Sequence, residues 1–147
     1  MSNLKPKEKR KARILALQII YAIDFKGSEF DETCKLLLEG EDEISQEILK
    51  YSNQLSNLVA INLAELDKLI SSMSKNWDFD RIALIDKLIL RMALAEMIYI
   101  EDIPPKVSIT EGVEIAKLFS TDDSSSFING ILDSVYNHKI KGKVNII

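Results

Sequence analysis

Cysteine and histidine each occur once in 147 residues, as Cys34 and His138. A lone thiol excludes an intramolecular disulfide, so nothing in the chain demands an oxidising compartment. A zinc site would have to be built almost wholly from carboxylates. A Ser–His–acid triad would depend on a single histidine near the C-terminus. Cys34, followed by Leu36, Leu37 and Leu38, reads as a small core residue. Glycine is scarce, and no glycine-rich phosphate loop occurs: Gly112 and Gly130 each stand alone inside a helical pattern. A glycine within a helix costs about 1 kcal/mol relative to alanine. At Gly130 the expected justification is the close approach of another helix. The acid pairs Asp78/Asp80 and Asp122/Asp123 read as helix caps and solvated joints. No apolar run is long enough to span a bilayer, and no signal peptide is visible. A cytoplasmic chain is therefore expected, with no membrane contact, no metal, no cofactor and no catalysis.

Strand-like alternation is also nearly absent, and apolar residues recur at spacings of three and four almost everywhere. This predicts an all-α fold. With 46% hydrophobic and 29% charged residues the balance is that of a globular chain, and its length suits a single domain with a substantial core. Helices are expected over about Lys7–Phe25, Asp31–Glu39, Ser45–Met73, Ile82–Tyr99, Lys106–Phe119 and Ser124–His138. The third is long for a globular helix, and a bend near Asn57 or Asn62 would fit. The fourth is apolar on most sides and is expected to be central. Trp77-Asp78-Phe79-Asp80 reads as a joint between an N-terminal subdomain, about 7–75, and a C-terminal one, about 77–138. The segment 139–147 reads as a loose basic tail.

Charge is segregated. Residues 1–13 hold six bases (Lys5, Lys7, Lys9, Arg10, Lys11, Arg13) against Glu8, and the remaining residues hold 13 bases and 22 acids. A basic arm on an acidic body points to a polyanion, most commonly nucleic acid. Within the first helix, Arg10, Arg13, Leu17 and Tyr21 fall on one stripe, with Gln18 beside it. Arginine can pair with phosphate or stack on a base, tyrosine can stack on an unpaired base, and glutamine can read a base edge. The spacing fits equally well a core stripe of Leu17 and Tyr21 with arginines on its rim.

Several segments in order resemble the NusB family of transcription antitermination proteins. They are Lys9-Arg10-Lys11-Ala12-Arg13 with Ala16-Leu17-Gln18 and Tyr21; then Ile85-Asp86-Lys87 with Leu90-Arg91-Met92-Ala93-Leu94 and Glu96. Next come Asp102-Ile103-Pro104-Pro105-Lys106-Val107-Ser108-Ile109-Thr110-Glu111 and Ala116-Lys117, Phe119-Ser120-Thr121-Asp122-Asp123-Ser124, Phe127-Ile128-Asn129-Gly130-Ile131-Leu132-Asp133. The likeness covers about residues 8–137; over 26–75 only the helical pattern matches. It implies a bundle of about seven helices in two packed subdomains. It also implies a non-catalytic adaptor that joins NusE, a small-subunit ribosomal protein, on the single-stranded boxA element of ribosomal RNA leaders. Within the RNA polymerase antitermination complex such an adaptor supports ribosomal RNA transcription and processing. Some members form homodimers.

Carried over by position, Lys9, Arg10, Arg13, Gln18 and Tyr21 would face RNA, as would Asp123, Phe127 and Asn129 at the start of the last helix. Lysine at some arm positions keeps charge but loses the flat, two-pronged guanidinium. Ser126 stands where some members have lysine. Asp86, Arg91 and Glu96 fall on the helix expected to face NusE, unless Arg91 and Glu96 serve an internal ion pair or a solvated edge. Two alternatives stand beside this reading. One is a protein-interaction module of the same fold. The other is the helical domain that opens some ribosomal RNA cytosine methyltransferases, which need a large cofactor-binding domain after it; none follows within this sequence.

Overall fold

The computed structural model describes residues 4–24, 44–74, 78–119 and 122–141. Every regular element among them is helical: α1 (Pro6–Asp24), α2 (Gln46–Ile61), α3 (Leu63–Met73), a 3-10 turn (Phe79–Arg81), α4 (Leu84–Tyr99), α5 (Pro105–Phe119), α6 (Asp122–Val135) and a π-helical turn (Tyr136–Ile140). The all-α class holds, with six α-helices among the described residues against an expectation of about seven. The short helix expected over Asp31–Glu39 lies outside the described residues, as do Cys34 and Trp77.

The long helical pattern of 45–73 is two helices. Asn62, at φ −107° and ψ 20°, leaves helical geometry between them, and the chain divides there into two compact units, Met1–Ile61 and Asn62–Ile147. In the first unit α1 packs along α2. Pro6 occupies the first helical position of α1, where its missing N–H is no loss. Glu8 turns back to accept a hydrogen bond from the Lys5 N–H at 3.0 Å, which is half of a capping box. At the start of α2, Ser45 Oγ accepts from the Ile48 N–H at 3.2 Å. The inner faces carry Ala12, Ala16, Leu17 and Ile20 from α1 and Ile48, Leu55 and Val59 from α2, all buried. Two buried serines on α2 direct their hydroxyls to backbone carbonyls three residues back, Ser52 to Leu49 at 2.9 Å and Ser56 to Asn53 at 3.1 Å. The inner face therefore carries them without an unsatisfied hydroxyl.

In the second unit α4 packs against α3, α5 and α6, and α6 reaches both α3 and the π-helical turn. Leu88–Leu90 and Met92–Met97 are all buried, as an apolar-all-round helix requires. One glycine permits the close packing here, and it is Gly112. A Cβ at that position would lie 3.0 Å from Leu132 Cδ1 and 3.3 Å from Ala93 Cβ. Gly130 corrects the sequence expectation. It is exposed on α6, and a Cβ there would meet nothing within 4 Å. Neighbouring apolar residues suggest a packed position, but a step of one residue turns a helix by about 100° and carries Gly130 off the inner face.

Candidate nucleic-acid interface

Each unit carries its own group of candidate residues. Lys5, just before α1, and Lys7 on it are exposed, Lys9, Arg10 and Lys11 are half-buried, and Arg13 is only 2% exposed. The stripe Arg10, Arg13, Leu17, Tyr21 turns inward as it ascends. Leu17 is fully buried and Tyr21 is 8% exposed, so Leu17 belongs to the core and Tyr21 keeps little surface. Gln18, one position round the helix, keeps part of its surface. The cations that solvent reaches most easily are therefore those of the first two turns.

On α6, Asp123 and Phe127 stand four residues apart and share a face. Both line a cavity of about 200 Å³, together with Ser124 and with Arg81, Ile82, Ala83 and Asp86 from the 3-10 turn and the start of α4. Asn129 projects elsewhere: it is exposed and takes no part in the lining. Ser126, also exposed, does not line the cavity.

Asp86 is the unusual member of this group. It is 6% exposed. Its Oδ2 accepts a hydrogen bond from Ser124 Oγ at 3.1 Å, whereas Oδ1 is buried with no hydrogen-bond partner among the described residues. Burial pushes its carboxyl above the ordinary carboxylate value, against the Ser124 hydrogen bond, which favours ionisation. An acid in the first turn of α4 also gains from the helix dipole. Burial nevertheless prevails in setting the direction of the shift. Sequence spacing does not associate Asp86 with Ser124, because 38 positions separate them. Arg81 and Ser124 carry no signal of their own; beside Asp123 and Phe127, the mark of the site in the sequence is Asp86, an acid among the apolar residues that open α4.

The other two residues expected to face a protein partner are held internally. Arg91 Nε and Nη2 donate to Asp67 Oδ1 and Oδ2 at 2.7 and 2.9 Å, a two-pronged pair that ties α4 to α3. The Arg91 guanidinium and the Lys87 ammonium also lie over the Phe79 ring, at 5.9 and 4.5 Å from its centre. Glu96 is 1% exposed, and its Oε1 accepts from the equally buried Ser108 Oγ at 2.7 Å, joining α4 to α5. Among the described residues no group of three or more His, Cys, Asp or Glu could hold a metal ion, and no helix is long and apolar enough to cross a membrane.

The NusB family, as a sequence family, matches residues 10–137. A transcription antitermination protein NusB of Chloroherpeton thalassium is 40% identical over 92% of this chain, which spans 64% of that relative's length. NusB proteins of Natranaerobius thermophilus and Symbiobacterium thermophilum are 36% and 39% identical over 92% and 86% of this chain, covering 99% and 88% of their own lengths. Among solved structures, NusB of T. maritima superposes with a TM-score of 0.71 at 25% identity over 99% of each chain. A chain from a complex of antitermination factors NusB and NusE with double-stranded RNA has a TM-score of 0.71 at 22% identity, covering 90% of this chain and 98% of that one. At that identity the likeness is one of fold.

Proposed function

Because this chain belongs to the NusB family, we propose that it is a non-catalytic, cytoplasmic RNA-binding factor for transcription antitermination. Together with NusE it binds boxA in nascent ribosomal RNA leader transcripts, and within the polymerase antitermination complex it supports ribosomal RNA transcription and processing. The match to the NusB family over residues 10–137 carries this reading. Two features of the molecule support it. The solvent-reachable cations from Lys5, just before α1, to Lys11 are suited to contact phosphates. At the start of α6, Asp123 and Phe127 place an acceptor and an aromatic ring on one face, suited to an unstacked base.

Titration of a short boxA RNA against a scrambled control, with and without NusE, tests the reading. A Lys9→Ala/Arg10→Ala variant is the companion, since both side chains keep surface and neither belongs to the buried core. The expected result is a boxA preference that NusE tightens and an affinity that falls at least tenfold in the variant. Equal binding of the two RNAs under both conditions would remove boxA recognition, and binding of neither would leave a NusB-like fold engaged only with protein.

A further inference from the structure

We propose that the groove between α3, the connection from α4 to α5 and the π-helical turn is the docking surface for the chain's own residues 142–147, received as an extended strap with Val144 and Ile146 turned inward. Every residue concerned belongs to the second unit. The groove lies at the opposite end of α4 from Asp86, and RNA plays no part in it.

The groove holds about 680 Å³, within the ~300–1,000 Å³ of sites that enclose a ligand. Its walls are mainly apolar. Leu69 comes from α3, Ile98 from α4, Pro105 from the start of α5 and Ile140 from the π-helical turn. All four are only half-buried, so they leave apolar surface facing water, and an occupant with apolar side chains removes that cost. Two exposed carboxylates, Glu65 and Glu101, stand at its rim. The last turn of α4 adds to this negative charge, since the carbonyls that end a helix lack donors within it and this turn contains no basic residue. The occupant that fits is an extended segment with apolar side chains on one face, backbone N–H groups to donate, and a cation.

The sequence that follows the groove meets each of these requirements. Lys139 and Ile140 line the wall, and Lys141 is the last described residue. The loose tail expected over 139–147 is thereby revised at its start, because Tyr136–Ile140 is a π-helical turn, a form found frequently at functional sites. Residues 142–147 lie outside the described residues and read Gly142-Lys143-Val144-Asn145-Ile146-Ile147. Gly142 suits a change of direction after a helical turn. Val144, Ile146 and Ile147 are β-branched, which favours an extended chain. In such a chain Val144 and Ile146 share one face, and Lys143 and Asn145 share the other. With the apolar pair inward, Lys143 faces the rim that carries Glu65 and Glu101. Six extended residues span roughly 20 Å, about two helix diameters, which suffices to cross the end of α4 and reach α3.

The test uses the full chain, labelled at its isoleucine, leucine and valine methyl groups, and reads nuclear Overhauser contacts across the groove. Contacts from Ile146 to Leu69 and Ile98, residues far apart in sequence, are expected. Val144→Asp/Ile146→Asp should abolish them, shift the Leu69 and Ile98 methyl resonances, and raise the unfolding equilibrium constant measured in urea about tenfold. Asn145→Ala, on the outward face, should leave the contacts in place. Absence of the contacts in wild type would overturn the proposal, whatever the urea midpoint. So would contacts that arise only between chains in a mixture of labelled and unlabelled protein, which would assign the strap to a second copy. Leu69 and Ile98 resonances that respond to added NusE but not to Val144→Asp/Ile146→Asp would likewise overturn it and give the groove to a protein partner.

Discussion

An alanine methyl at Gly130 meets nothing within 4 Å, whereas at Gly112 it meets Leu132 Cδ1 at 3.0 Å and Ala93 Cβ at 3.3 Å. The two glycines therefore respond oppositely to the same change. Gly130→Ala narrows the unfolded ensemble at no packing cost and should raise stability by about 0.5–1 kcal/mol. Gly112→Ala crowds Leu132 Cδ1 and Ala93 Cβ in the packed core and should lower it by about 1–3 kcal/mol. Urea midpoints of the two variants, at an unchanged m-value, decide both. Asp86 carries the pH dependence that belongs to this scale. Its carboxyl is raised above the ordinary 3.8 by burial, with the Ser124 hydrogen bond acting the other way. The folded chain therefore holds this proton more tightly than the unfolded chain does. The group's contribution is most favourable below pH 3.8, and it is lost as pH rises through the higher folded value. Asp86→Asn should accordingly be more stable than wild type at neutral pH. That advantage should shrink as acid protonates the wild-type carboxyl, and should vanish below pH 3.8. An advantage that stays constant from neutral to acid pH would show that ionisation of Asp86 carries no cost in the fold.

At the scale of the helix, α4 holds the second unit together because it presents apolar side chains to α3, α5 and α6 at once. Leu94 is fully buried in it. Leu94→Ala should cost about 2–5 kcal/mol, the spread reflecting how far the neighbours can collapse into the space; the unfolding free energy from urea titration measures it. Ser45→Ala removes the hydroxyl that accepts from Ile48 and should cost about 1 kcal/mol at the start of α2. The same elements show what a sequence can reveal. Apolar residues at three-to-four spacing locate α1, α4 and α5 to within two residues at either described end, because burial of one face requires that spacing. The opening of α4 is later than its apolar pattern suggests. Ile82 is buried in the connection, its N–H donating to the Phe79 carbonyl at 3.2 Å, so it serves the core from outside the helix. The break at Asn62 is legible only as one of two asparagines, since an apolar stripe continues on both sides of it. Of the site, Asp123 and Phe127 are legible together, because residues four apart on one helix share a face. Asp86 is legible as an acid on an apolar helix but not as their neighbour. That pairing depends on how α4 and α6 cross, which no local spacing encodes.

For the molecule as a whole, the governing property is its uneven charge. The net charge is −4, yet residues 1–13 hold six bases and one acid. Arg13 is 2% exposed and lies in the buried stripe of α1, which leaves Lys5, Lys7, Lys9, Arg10 and Lys11 with surface that a phosphate chain can approach. An acidic body cannot attract RNA at long range, so association depends on this short basic segment and on the counterions that RNA releases to it. If those five side chains each neutralise one phosphate of a single strand, the logarithm of the binding constant should fall with the logarithm of salt concentration at a slope near −3.5. Between 50 and 200 mM salt that is about a hundredfold loss. Lys9→Ala/Arg10→Ala should flatten the slope by about 1.4, since each removed cation contributes about 0.7. Anisotropy titrations at four salt concentrations measure both slopes. A slope near zero in wild type would remove the basic segment from RNA binding.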